Sequence, residues 1–277
     1  MQLAGQFAFG PPPDRASAIG VLRTAAAAGV DHIDTAQYYG PGVVNDLIHD
    51  ALYPYPDGLA IVSKVAVRRD DAGAVLPFDD PDQLRKGIED NLRSLRVGQL
   101  AAVNLRLPGD GRVGARFDDQ LAAMVAARDE GLIAGVGLSN ISVEQLRHAV
   151  AGTEIVCVQN LFHLADRRAA ALLEECLSRG IAFVPFCPLG WPRGQDNPVL
   201  TSPVVVQTAA RLGISRDAVY HWIDRGHLPA RRGPAGRSYI RLTAEDEAAC
   251  RQRIATSSQL PPKVKTQALQ SVPGGAL

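Results

Sequence analysis

Short apolar runs alternate with amphipathic stretches from about residue 14 to residue 200. Apolar residues three and four apart in the longer stretches indicate helices with one buried face. The short runs are apolar at consecutive positions, as is typical of parallel strands covered on both faces. The predicted helices are Arg15–Ala28, Val43–Leu52, Pro81–Leu95, Asp118–Glu130, Val143–Val150 and Arg167–Arg179. The predicted strands are His32–Ala36, Leu59–Val65, Ala101–Leu107, Ile133–Leu138, Ile155–Gln159 and Ala182–Phe186.

This alternation predicts the α/β class. Apolar strands that are separated by single helices pair in parallel through right-handed crossovers. Six such units in under 200 residues suit a (β/α)₈ barrel of the TIM type better than a doubly wound sheet. No G-x-G-x-x-G sequence opens a helix after a strand, which disfavours a Rossmann dinucleotide site.

Composition supports a globular, cytoplasmic protein. The 277 residues are 46% hydrophobic and 21% charged, enough apolar material for a sizeable core. No window approaches 18 consecutive apolar residues, and no basic segment precedes an apolar one at the N-terminus, so neither a membrane span nor a secretory signal is predicted. The cysteines are widely spaced without a C-x-x-C pair, which favours reduced thiols and no metal site. They are Cys157, Cys176, Cys187 and Cys250.

The formal net charge of zero conceals two unlike segments. Residues 1–200 carry 18 basic and 24 acidic side chains, a net charge of −6. Residues 201–277 carry 11 basic and 5 acidic side chains, a net charge of +6. Such asymmetry indicates either a nucleic-acid-binding segment or an ordinary basic surface helix or tail.

Polar side chains stand where the predicted strands end. Asp34 closes the first of them, Tyr39 follows it, and Lys64 lies at the end of the next strand. In a barrel these ends meet at one mouth, where a buried Lys⁺ favours a phenolate and the Asp keeps the Lys charged. The set therefore predicts a proton donor with a lowered pKa, although each residue alone also suits an ordinary strand end. Later strands end in Asn104, Arg106, Ser139, Asn140, Gln159 and Asn160.

Five segments in order resemble successive motifs of the aldo-keto reductase family. They read DHIDTAQYYGPGVVNDLI, IVSKV, GLIAGVGLSNISVEQL, VCVQN and FVPFCPLG, and the resemblance covers roughly residues 3–214. It implies a barrel enzyme that uses NADP(H) to reduce a small aldehyde or ketone.

The same resemblance implies roles for individual residues. Tyr39, in D-x₄-Y-G, would protonate the carbonyl oxygen as hydride arrives, with Lys64 and Asp34 tuning it. Ser139, Asn140 and Gln159 would hydrogen-bond the nicotinamide carboxamide. The aromatic ring expected to stack on the nicotinamide, and the loop after it, are Phe186, Pro188, Leu189 and Gly190.

The sequence departs from the family pattern at three places. Arg106 stands where the family usually has a catalytic His, and this NLR variant resembles a branch associated with pyridoxal reduction. An Arg can polarise a carbonyl oxygen as a fixed cation, but it does not share a proton readily at neutral pH. Met1–Gly5 supplies only a stub of the first strand, and no P-G-T turn follows Ile214. The barrel is therefore expected to be incomplete at its first and last strands.

The segment SRDAVYHWIDRGHLPARRGPAGRSYIRLTAEDE resembles a winged helix-turn-helix of the excisionase type. Val204–Leu212 would be the first helix and Arg216–Arg225 the recognition helix, with Ser215 as its N-cap. Arg231–Tyr239 would form the hairpin wing. The residues expected to meet base edges are Arg216, Tyr220 and His221, and those expected to meet phosphate or the minor groove are Arg231, Arg232 and Arg237.

Alternatives remain at the C-terminus. The same helices lie where the barrel family has its last helices, so His227–Arg231 could serve as a substitute eighth strand that contacts a cofactor phosphate. The predicted domains are a barrel over 1–202, a helix-turn-helix-like segment over 203–258 and a disordered tail over 259–277. The favoured function is aldehyde reduction. The alternatives are a DNA-binding regulator with the barrel as scaffold and a rearranged product with neither activity. The oligomeric state is left open.

Overall fold

The computed structural model of the chain describes residues 3–190, 197–215, 218–219, 222, 230–232, 238–240 and 243–256. The chain divides into two compact units, residues 1–160 with 171–184 and residues 161–170 with 185–277. Within the described residues, no helix is both long and apolar enough to cross a membrane.

The first unit is built on one curled sheet. Its strands are β1 (His32–Asp34), β2 (Ala60–Arg69), β3 (Val75–Phe78), β4 (Ala102–Arg106), β5 (Val136–Ser139), β6 (Cys157–Gln159) and β7 (Ala182–Phe183). Strands β1, β2, β4, β5, β6 and β7 pair in parallel in chain order, and β3 pairs antiparallel with β2. A helix connects each parallel strand to the next one, so the carboxyl ends of all six strands lie along one edge of the sheet.

Six helices accompany this sheet, and local signals explain where several begin. They are α1 (Arg15–Ala27), α2 (Val43–Leu52), α3 (Pro81–Leu95), α4 (Ala115–Asp129), α5 (Val143–Gly152) and α6 (Ala170–Arg179). Helix α3 begins with Pro81 after a capping box between Asp80 and Gln83, and Ser142 caps α5 in the same way. The predicted bounds of α2 and α3 are confirmed to the residue.

The predicted fold class is confirmed, including its incompleteness. Residues Leu3–Gly5, expected to be a strand stub, form a turn that leads into a 3₁₀ helix at Gln6–Ala8. Among the described residues the parallel sheet has six strands, of which β1 and β7 are the edges. An open edge leaves Asp34 partly exposed, whereas the neighbouring Lys64 is buried.

One element of the sheet was not predicted. Strand β2 continues four residues past Val65 and turns back through β3 as an antiparallel arm. Ala66 lies at the base of this arm with a φ of +86°, a backbone conformation that L side chains rarely adopt. Arg69 ties the arm to the N-terminal segment, because its guanidinium donates to the carbonyl oxygens of Gly73 (2.5 Å) and Phe7 (2.8 Å).

Packing on the inner face depends on a glycine. A Cβ at Gly137 would stand 2.4 Å from Asn104 Oδ1 and 2.6 Å from Cys157 Sγ. Both neighbours come from adjacent strands in register with Gly137, and the Cys157 thiol donates a hydrogen bond to Asn104 at 3.5 Å. Only glycine leaves room for the Asn104 side chain at this level of the barrel.

The second unit contains α7 (Pro203–Leu212), β8 (Ala230–Arg232), β9 (Ser238–Ile240) and α8 (Ala244–Thr256). Helix α7 ends at Leu212 and is capped by Gly213, whose φ is +65°. Ser215 Oγ accepts a hydrogen bond from the Ala218 backbone amide at 3.1 Å, which confirms the predicted N-cap. The buried core that joins these helices is Val205, Ala209, Leu212, Ile214, Val219, Cys250 and Ile254.

The predicted hairpin wing is confirmed in its backbone. Strands β8 and β9 pair antiparallel, with Arg231 opposite Tyr239. The alternative of a substitute eighth strand is wrong for Ala230 and Arg231, because their ladder partner is β9 and they have none in the parallel sheet among the described residues. Residues 227–229, the rest of that alternative, lie outside the described part of the chain.

Candidate active site

The centre of the site is an ion pair between Asp34, the last residue of β1, and Lys64, in the middle of β2. Lys64 is 4% exposed, and its ammonium donates to both carboxylate oxygens of Asp34 at 2.6 Å and to the Thr35 carbonyl oxygen at 3.2 Å. The Asp34 side chain keeps 32% of its exposure. A buried ammonium needs such partners to stay charged, so Asp34 and Thr35 hold a fixed cation at the mouth of the barrel.

Two buried tyrosines stand beside this cation. The Lys64 Nζ lies 5.3 Å from the centre of the Tyr39 ring, and the Tyr38 ring meets Tyr39 edge to face at 5.1 Å between centroids. Burial raises the pKa of the Tyr38 phenol, and the adjacent Tyr39 raises it further. The cations of Lys64 and Arg106 act in the opposite direction on the same pKa.

Three predicted residues occupy one level of the inner face. Arg106 pairs in register with Ser139, and Ser139 pairs with Gln159 on the next strand. Lys64 is paired with Asn104, two residues before Arg106. Because side chains alternate along strands, Arg106, Ser139 and Gln159 face the barrel interior one level above Lys64 and Asn104.

Gln159 carries an unused acceptor in this layer. The residue is 2% exposed, and its Oε1 is buried without a hydrogen-bond partner among the described residues. Asn140 lies beside it with a φ of +60°, and its backbone N–H donates to the backbone carbonyl oxygen of Gln159 at 3.1 Å. Asn160 has a structural role instead, since its side chain bonds both the amide and the carbonyl of Ile141.

A buried polar network behind the ion pair was not predicted. The Thr35 hydroxyl donates to Asn45 Oδ1 (2.8 Å), and Asn45 donates to Asn91 Oδ1 (2.9 Å). Ser63 also donates to Asn91, at 2.6 Å. These hydrogen bonds connect both strands that carry the ion pair to α2 and α3. Its only sequence signal was Asn at positions of α2 and α3 that face the core.

The predicted stacking residue and its loop lie in the second unit. Phe186 forms an isolated parallel bridge with Leu161. Gly190 has a φ of +87°, and a Cβ there would stand 2.2 Å from Asn197 Oδ1. Asn197 also donates to the Leu189 carbonyl at 2.8 Å, so it holds the loop that contains Pro188.

The residues predicted to contact DNA are largely outside the described part of the chain. This holds for Arg216, Tyr220, His221 and Arg237. Arg231 and Arg232 are described in their backbone as part of β8. Their predicted contacts therefore stay predictions.

Comparison with known families settles what the barrel is. Residues 2–199, more than two thirds of the chain, match the model of the aldo/keto reductase family. The chain belongs to the aldo/keto reductase family. Membership makes this protein an oxidoreductase by family, as the resemblance of its five motifs led us to expect. Residues 205–246 match a separate model, a helix-turn-helix domain.

Individual aldo/keto reductases support the predicted branch. The chain is 46% identical over 193 residues to the pyridoxine 4-dehydrogenase of Escherichia coli, covering 69% of this chain and 68% of that protein. It is 27% identical over 181 residues to the probable pyridoxal reductase 2 of Schizosaccharomyces pombe, covering 60% and 52%. The chain thus spans about half to two thirds of the length of these relatives.

A solved aldo/keto reductase shows the same fold. The enzyme from Klebsiella pneumoniae in complex with NADP and acetate aligns with a TM-score of 0.58 at 24% identity, covering 94% of this chain and 82% of that one. The alignment confirms the barrel architecture of this reductase.

Proposed function

We propose that this aldo/keto reductase reduces a small aldehyde with NADP(H), with Tyr39 as the general acid. The observation that carries the proposal is the buried Lys64 ammonium, which Asp34 holds and whose Nζ lies 5.3 Å from the centre of the Tyr39 ring. A fixed cation at that distance stabilises the phenolate that Tyr39 becomes when its proton leaves.

The described residues fit a nicotinamide carboxamide. The Gln159 Oε1 is a buried acceptor without a partner, which a carboxamide N–H would satisfy, and Ser139 lies beside it in register. Asn140 is the third candidate of this group. When bound, the nicotinamide supplies the hydride. The stacking role of Phe186 and the role of the loop of Pro188, Leu189 and Gly190 stay predictions from the family resemblance.

Each of the four proposed catalytic residues then has one task in the reaction. Tyr39 Oη donates its proton to the carbonyl oxygen while that oxygen gains negative charge. Lys64 stabilises the resulting phenolate, and Asp34 keeps the ammonium in place. Arg106 stands in for the histidine of the family as a permanent cation near the carbonyl, without taking part in proton transfer.

The substrate that we propose is an aldehyde like pyridoxal. The 46% identical relative is named a pyridoxine 4-dehydrogenase, and that reaction interconverts an alcohol and an aldehyde on an aromatic ring. We propose a cytoplasmic location, which the free thiols of all four cysteines support. The domain bounds 1–202, 203–258 and 259–277 remain predictions.

Cofactor binding tests the proposal directly. NADPH should quench protein fluorescence saturably at micromolar concentration, and more tightly than NADH. Gln159→Leu removes the unused acceptor and should weaken NADPH binding about two- to tenfold, because a net hydrogen bond contributes about 0.5–1.5 kcal/mol. Since Gln159 Oε1 bonds no described residue, stability should not fall in parallel.

The matched control is Gln99→Leu, a surface glutamine whose side chain bonds only the Gly131 carbonyl among the described residues. NADPH affinity should be unchanged in that variant. Absence of any NADPH response up to millimolar concentration would refute the proposed function.

A second partner is proposed for the basic C-terminal unit, on the strength of the helix-turn-helix match. Duplex DNA should bind this unit, and binding should weaken steeply with added salt because neutralised phosphates release counterions. Arg231→Gln with Arg232→Gln should reduce both the affinity and the salt dependence, measured by fluorescence anisotropy. The comparisons favour the oxidoreductase over a purely DNA-binding role. If DNA affinity did not change with salt concentration, or did not change on both substitutions, Arg231 and Arg232 would not form the DNA-binding surface.

A further inference from the structure

A cavity of about 550 Å³ opens between the β2–β3 arm and the loop that follows β4. Its walls are largely apolar where the arm and the loop face each other, and they include Leu76, Pro77, Leu107 and Pro108. Apolar walls of this kind suit an aromatic ring better than a flexible polar chain.

Three arginines line this cavity, and their partners differ. Arg116 bonds Asp79 at 2.6 Å, and Arg112 lies 3.5 Å from Asp110, so each of these cations faces a carboxylate. Among the described residues Arg106 has neither an ion pair nor a hydrogen bond through its side chain, although it is half-buried. A half-buried guanidinium keeps five donors that an anionic ligand can satisfy.

The position of Arg106 connects this cavity to the proton donor. Arg106 is the last residue of β4 and lies level with Ser139, one level above Lys64. Its charge acts on Tyr38, whose ring touches Tyr39. Lys64 is already neutralised by both oxygens of Asp34, so the excess positive charge of the site belongs to Arg106.

We propose that Arg106 selects aromatic aldehydes that carry an ionised oxygen on the ring carbon next to the aldehyde. The guanidinium offers two parallel N–H donors, and the carbonyl oxygen and the neighbouring oxide present two acceptors on one side of the ring. The ring then packs in the cavity between the arm and the loop. This inference rests on the proposed function, because it assigns the substrate class of the same site.

An isomer series of hydroxybenzaldehydes tests the selection. The probes are 2-hydroxy-, 4-hydroxy- and unsubstituted benzaldehyde, at a pH at which both phenols are ionised. The 4-oxide donates electrons to the carbonyl by the same resonance as the 2-oxide and lowers its electrophilicity in the same way. The ratio of kcat/KM between the two isomers therefore reports the position of the charge. We expect kcat/KM to favour the 2-hydroxy isomer about tenfold or more, as charge-assisted hydrogen bonds are the stronger class.

Substitution of Arg106 should abolish this preference. Arg106→Gln should bring the ratio of the two hydroxy isomers to about one, mainly through a higher KM for the 2-hydroxy isomer, because a neutral side chain loses both the charge and the fork. Arg106→Lys should keep part of the preference for the 2-hydroxy isomer, because lysine retains the charge. Arg112→Gln, the control at the same cavity, should leave the ratio unchanged because Arg112 already faces Asp110.

A second measurement on the unaltered protein does not depend on the variants folding. The KM of the 2-hydroxy isomer should fall as pH rises through the pKa of its phenol, while the KM of the 4-hydroxy isomer stays flat. A ratio near one in the unaltered protein, or one that survives Arg106→Gln, would overturn the inference while turnover of benzaldehyde still upheld the proposed function. Failure to reduce any of the three aldehydes would overturn both.

Discussion

Tyr39→Phe is expected to lower kcat for aldehyde reduction about 10²- to 10⁴-fold, the usual contribution of a positioned general acid. The substitution removes one hydroxyl and keeps the ring that packs against Tyr38. Cofactor affinity should therefore change little, because no part of the proposed carboxamide site is touched. Steady-state kinetics on benzaldehyde, together with the NADPH titration, separates the two effects.

Tyr53→Phe is the matched control for that experiment. Tyr53 is exposed at the end of α2 and stacks on His49, away from the ion pair. The control should retain full turnover. If Tyr39→Phe kept the activity of the unaltered protein, the assignment of Tyr39 would be wrong and Tyr38, which is buried beside it, would be the next candidate acid.

Lys64→Met is expected to have the second largest effect, a loss of about 10²-fold or more in kcat. Methionine fills similar space but removes the cation that stabilises the Tyr39 phenolate. The free energy of unfolding should fall by about 1–3 kcal/mol, less than for a fully buried pair, because Asp34 keeps 32% side-chain exposure and regains water. Kinetics and urea denaturation measure the two quantities.

Lys86→Met provides the control, since the Lys86 ammonium is also paired, with Asp90 at 2.9 Å, but is 61% exposed on α3. Exposed pairs of this kind contribute little, so we expect normal turnover and a change in stability within about 0.5 kcal/mol. Equal losses in both lysine variants would mean that the Lys64 effect is a general one of removing positive charge.

Local signals explain which elements could be predicted. Helices α2 and α3 begin and end as predicted because a glycine turn and a proline with a capping box mark their starts. Strand β2 was predicted to end at Val65, but it continues to Arg69 because β3 pairs with it. The arm segment contains Asp, Gly and Pro, which locally favour turns, so only its pairing across the chain makes it a strand.

The change between the two families along the chain was also visible in the sequence. The aldo/keto reductase match ends at residue 199 and the helix-turn-helix match begins at 205. The net charge changes sign at the same place, from −6 over residues 1–200 to +6 over residues 201–277. Motifs and charge are properties of residue order, and they need no packing to be recognised. No motif or charge pattern marked the buried hydrogen bond between Asn45 and Asn91, and an Asn at a core-facing helix position does not by itself say which residue it bonds.

The sequence by itself determined the family, the parallel order of the strands and the candidate residues at their ends, because hydrophobic period and motif spacing are local. Only the tertiary structure decided how those residues are partnered. It neutralises Lys64 with Asp34 and leaves Gln159 Oε1 without a described partner. It also leaves Arg106 without one, while Arg112 and Arg116 meet carboxylates. Partners come from strands and loops far apart in the chain, so their pairing depends on the register and closure of the sheet, which no local pattern encodes.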